Sequence, residues 1–211
     1  DWTKHMLAGV VPLQAAEGAI FANTVSDMLG LRPAASAHPL SGKRKKADEM
    51  LGIIEAFFIP LGRERSKYAG EDMNTLLAIL DQPPCVLVTG DEIGVTAEYP
   101  FPHSTSMLRI SSHDKNPRIG HGLLSLLMVP EGGMDAETAR RAMDLNEKEV
   151  LSFTGIRSFG SWCPSETGLV HTAFYPNALF RPGSVQLLGM NDALRARWFT
   201  EEVLDYDLED H

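Results

Sequence analysis

The sequence predicts an α+β fold, an antiparallel sheet covered by helices with an N-terminal helical arm, and three observations carry that prediction. Apolar residues recur at helical spacing before residue 80 and again over 135–151 and 185–204. Between those stretches the period falls to two, in short runs such as Cys85-Val86-Leu87-Val88-Thr89. The connections between these runs are too short for helical crossovers, so successive strands must be antiparallel. The resulting order from about residue 70 is helix, several strands, helix, two strands, helix, which is the segregated pattern of the α+β class.

Taken in order, Gln14–Leu29 places Ala15, Ala19 and Ala22, then Phe21, Val25, Met28 and Leu29, at helical spacing, with Gly30 where a helix would be capped. Leu31–Gly42 is rich in proline, serine and small residues and reads as a linker. Residues 1–40 are therefore expected to be an N-terminal helical arm and linker, and residues 41–211 the α+β domain. Asp48–Ile59 carries the stripe Met50, Leu51, Ile54, Phe57 and Phe58, and Pro60 is expected to stop that helix. Gly70–Leu80 reads as a third helix ended by Pro83-Pro84.

Strands follow at Cys85–Thr89, Ile93–Tyr99, Met107–Ile110 and His121–Val129, with turns at Gly90-Asp91-Glu92 and Asp114–Pro117. Asp135–Leu151 is a helix capped by Asp135, with Glu137 complementing its positive end. Ile156–Trp162 and Leu169–Tyr175 read as two strands joined by Pro164–Gly168, and a long helix over Val185–Leu204 closes the domain.

Composition bounds the function. The chain has 211 residues, 44% hydrophobic and 22% charged, with a formal net charge of -9. That is an ordinary globular composition, large enough for a core without disulfides or metals. The acidic balance disfavours a phosphate backbone as ligand, so no nucleic-acid partner is expected; the basic run Lys43–Lys46 reads as a solvated linker or helix entry. No apolar stretch is long enough to span a bilayer, which argues against stable membrane insertion. Met6–Leu13 has the length of a signal-peptide core, but Pro12 interrupts it, and it reads as part of the folded chain, with export as the alternative. The two scattered cysteines, Cys85 and Cys163, read as reduced thiols of a cytoplasmic protein.

Candidate chemistry is sparse. His103, His113 and His121 lie close in sequence, and a hairpin could bring His113 and His121 together as metal ligands. The spacing matches no metal motif, and a solvated turn accounts for them. Cys163 in Trp162-Cys163-Pro164-Ser165 lacks the second cysteine of a redox loop, since Ser165 stands there; a nucleophilic Cys163 with His171 as base is the alternative. There is no phosphate-binding glycine motif and no nucleophile elbow. No residue is assigned a catalytic, cofactor-binding or metal-binding role, and no cofactor is implied.

Met143-Asp144-Leu145-Asn146, the acidic turn ending Glu166-Thr167-Gly168, the strand Leu169–Phe174 and the final helix then carry a family resemblance. Over about residues 70–205 the chain resembles the fold shared by type III secretion chaperones and the YbjN-like proteins of bacteria. Two departures stand out: the first 65 or so residues have no counterpart, and 85–130 holds an extra strand. The resemblance implies an acidic homodimer without an active site that holds a protein client or acts as a regulatory adaptor. The expectation is thus a non-enzymatic protein-binding module. The alternatives are a small enzyme using Cys163/His171 or the histidine group, and a structural or membrane-peripheral component built around the arm.

Overall fold

A computed structural model of the chain describes Gly30, Ala56 and residues 59–70, 73–82, 85–101, 104–116, 119–153 and 160–204. The fold is α+β, as the alternation of periods predicts. Helix α1 is Met73–Leu80. Strands β1 (Leu87–Asp91), β2 (Gly94–Phe101), β3 (Ser104–Ser111), the two-residue β4 (Lys115–Asn116) and β5 (Gly120–Val129) follow. Helix α2 is Ala136–Ser152, β6 and β7 are Ser161–Ser165 and Gly168–Pro176, and α3 is Ser184–Trp198, continued by a π-helical turn Phe199–Val203.

The strands form one antiparallel sheet in the order β1-β2-β3-β5-β7-β6, with β4 pairing the start of β5. Each step except β5–β7 is a hairpin or short connection, which is why the turn residues could be read from sequence. Register places Ala97, Leu108, Leu127, His171 and Trp162 in one row across the sheet. That face is buried throughout, and α1, α2 and α3 all contribute to the core built on it. At about 2 kcal/mol for each fully buried large aliphatic side chain, this face supplies most of the driving force for folding. Gly189 lets α3 approach closely: a Cβ there would stand 2.3 Å from Leu76 of α1.

Helix α2 begins as its sequence dictates. Asp135 accepts from the Thr138 amide at 2.7 Å, which satisfies one of the helix's orphan donors, and Thr138 Oγ1 accepts from the Gly133 amide at 2.9 Å, which ties the preceding loop to the first turn. Hydrogen bonding from the Thr138 amide, then from its side chain, holds the Asp135 carboxyl below the usual carboxylate range.

Several expectations shift. Pro60 does not stop its helix: residues 59–63 are helical, with Pro60 inside. Asp114–Pro117 is more than a turn, since Lys115 and Asn116 pair with His121 and Gly120. Pro164 and Ser165 belong to β6, and the turn shrinks to Glu166-Thr167. The physical reason is that β6 is an edge strand, where a proline without an N–H is tolerated. The arm over 1–40, apart from Gly30, lies outside the described residues, as do most of the helix expected over Asp48–Ile59 and most of the strand expected from Ile156. Gly30 has a left-handed φ of 64°, the conformation a glycine adopts just past a helix end.

Candidate functional site

His103 lies outside the described residues. His113 is exposed after β3, and His121 stands near the start of β5 opposite Lys115. Partial desolvation, then the positive fields of Lys115 and His113, hold the His121 imidazole below its ordinary pKa. The two histidines are thus neighbours, as the hairpin suggested, but the group beside them is a cation. Among the described residues no three histidine, cysteine or carboxylate side chains are placed to hold a metal ion.

Cys163 and His171 are separated by the sheet itself. Trp162 pairs with His171 and Cys163 pairs with Val170. Side chains alternate along a strand, so Cys163 projects from one face and His171 from the other. They cannot act as nucleophile and base. Burial also raises the Cys163 thiol pKa, the opposite of activation, and its Sγ lies 3.5 Å from the Val170 carbonyl. His171 is buried against Trp162, ring centroids 5.4 Å apart. Burial, reinforced by the charge of Arg195, holds its imidazole well below the ordinary pKa, so it is neutral.

Sequence reasoning missed the polar cluster beside His171. Arg195 is fully buried and bridges two carboxylates. Its Nη1 donates to Asp192, its Nε and Nη2 donate to Glu149 Oε1 at 3.0 and 2.9 Å, and its guanidinium lies over the Phe153 ring. Asp192 also accepts from Ser125 of β5, and Glu149 Oε2 accepts from the Trp162 indole at 2.7 Å. Burial pushes the Asp192 carboxyl up, opposed by Arg195 and Ser125. A signal existed: Leu188, Asp192, Arg195 and Phe199 continue one helical stripe on α3, so both charges had to face the core. Its donors and acceptors are spent on one another, and solvent does not reach Arg195 or Asp192. The cluster joins α2, α3 and the sheet, and it offers a substrate nothing.

Apolar groups also face solvent. Between α1 and α3 a cleft of about 130 Å³ is lined by Ile79, Leu80, Met190, Ala193, Leu194 and Tyr99, with Gln82 and Arg197 at its ends. Met190 and Leu194 are exposed on its rim, and Val86, 62% exposed, precedes β1. Tyr99 is buried, its hydroxyl has no hydrogen-bond partner, and burial pushes its phenol well above the ordinary range. A second exposed stripe, Met143, Val150 and Leu151, runs along the outer side of α2. No helix among the described residues is long and apolar enough to cross a membrane. No protein-family model matches this chain, and neither a curated protein nor a solved structure matches it.

Proposed function

We propose that the protein is a non-enzymatic protein-binding module, chaperone-like or a regulatory adaptor, that works as a homodimer. The observation that carries this reading is the cleft between α1 and α3. A dry cavity of about 150 Å³ takes a benzene-sized group, so a cleft of about 130 Å³ suits a single apolar side chain. Met190 and Leu194 on its rim supply an adaptable apolar surround, the arrangement in which one inserted anchor contributes most of the binding energy. The internal consumption of the Asp192–Arg195–Glu149 charges and the separation of Cys163 from His171 support binding over catalysis. The element order supports the likeness to the secretion-chaperone fold.

Fluorescence polarisation tests this with labelled peptides carrying single Leu, Ile, Met or Phe anchors in a polar background. At least one peptide should bind with an affinity that Leu194→Asp reduces and that Thr167→Asp, in the exposed β6–β7 turn, leaves unchanged. A panel that does not bind, or binding indifferent to Leu194→Asp, removes the proposal.

A further inference from the structure

The two edges of the sheet are not alike. At β6 the outer edge is closed: Pro164 has no N–H to offer, and Asn146 takes up both the N–H and the C=O of Trp162. At β1 nothing comparable is present among the described residues. Leu87–Asp91 pairs with β2 on one side, holds no proline or lysine, and leaves Leu87, Thr89, Gly90 and Asp91 exposed. Val88 packs on the core, and α1 lies so close that a Cβ at Gly90 would stand 3.1 Å from Leu77. The strand is thus held in place while the N–H and C=O groups of alternate residues point outward.

The charges around β1 are of one sign. From Asp81 to Leu108 the chain carries the carboxylates Asp81, Asp91, Glu92 and Glu98 and no lysine or arginine. Asp81 and Glu98 flank the entry to the strand: burial raises the Cys85 thiol pKa, and both acids add to the rise. Asp91 ends the strand and Glu92 follows in the turn, both exposed. A second copy paired here across a twofold axis would set the acids of one end against those of the other, and like charges opposite one another destabilise a strand pair. A segment carrying lysine or arginine meets the same groups as an attraction. We infer that β1 takes up an extended, basic segment of a partner protein as an added strand. Main-chain hydrogen bonds supply the affinity, and the carboxylates select the sign of the partner's charge. Exposed Val86 and Leu87 give the alternating side chains of that segment an apolar contact.

The test uses the full chain and short labelled peptides that alternate valine with lysine or valine with glutamate, read by fluorescence polarisation at low salt. The valine–lysine peptide should bind, and hydrogen exchange at the amides of 87–91 should slow when it does. The valine–glutamate peptide should not bind. Leu87→Lys with Thr89→Lys should weaken binding by about tenfold, since like charges then face each other across the new pair. Ser161→Lys with Thr167→Lys, the same change of charge at exposed positions of β6 and its turn, should leave it unchanged. Leu194→Asp, which disables the cleft, should not weaken it, so the two readings fail separately. Absence of binding, equal binding of both peptides, equal weakening by the two lysine pairs, or binding without slowed exchange in β1 overturns the inference. Protection of β1 that grows with protein concentration without peptide assigns the edge to a second copy and overturns it too.

Discussion

Asn146 on α2 and Trp162 on β6 exchange two hydrogen bonds: the Trp162 amide donates to Asn146 Oδ1 at 2.8 Å, and Asn146 Nδ2 donates to the Trp162 carbonyl at 3.0 Å. A side-chain amide stands where another strand would pair, so this edge of the sheet is closed at Trp162 and blunted at Pro164. Asn146→Ala removes both bonds and should cost about 1–3 kcal/mol in urea unfolding. It should also speed aggregation, because the edge of β6 is opened. Asn146→Asp keeps the acceptor and loses the donor, and should fall between the two. A variant as stable as the parent would show that water replaces the amide without loss.

Arg195 holds two buried acids together. Arg195→Met leaves Asp192 and Glu149 facing each other without the cation, which should destabilise the protein by about 3–5 kcal/mol at pH 7. Replacing the acids as well, Asp192→Leu and Glu149→Leu with Arg195→Met, should recover much of that loss, since the desolvation of three charges disappears. Chemical denaturation of the single and triple variants checks the point. A triple variant no better than the single would mean that the network determines packing geometry rather than merely satisfying charge.

His171 gives the fold an acid sensitivity whose sign is determined by burial. Above pH of about 6.5 both folded and unfolded forms carry neutral imidazole, and the residue contributes no slope. Below that, the unfolded chain takes up a proton that folded His171 refuses, so stability falls as pH falls, by at most about 1.4 kcal/mol per pH unit. His121 is shifted in the same direction, and Asp192 in the opposite one, so the difference from a variant isolates the effect. His171→Phe should flatten the stability profile between about pH 6.5 and 5 relative to the parent. Parallel profiles would show that His171 protonates in the folded protein.

The stripe Met143, Val150 and Leu151 is offered as the surface by which two copies associate. It lies on one side of α2, and a twofold axis brings such a stripe onto itself. Met143→Glu with Leu151→Glu should convert a dimer to a monomer in light scattering at micromolar concentration while changing the melting behaviour of the monomer little, since both side chains are more than 70% exposed. A parent that is already monomeric removes the idea.

Among the described residues the sequence by itself determined the α+β class and the order of the longer elements, because the signals are local. Period two over Val95–Tyr99, helical period over 136–152 and the oxygen of Asp135 three residues before Thr138 act within a turn or a strand. Tertiary structure decided which residues meet. Trp162 and His171 share a face and Cys163 does not, because a strand reverses its side chains at every residue and only cross-strand register says which set faces the helices. Pro60 and Pro164 look like stops in one dimension; the first is tolerated inside its helix and the second lies on an open edge. Glu149 reaches Arg195 across 46 residues of chain because α2 and α3 pack on the same side of the sheet. Buried charge is stable only where a partner arrives from elsewhere in the fold, and that arrival is a property of packing, which no local pattern encodes.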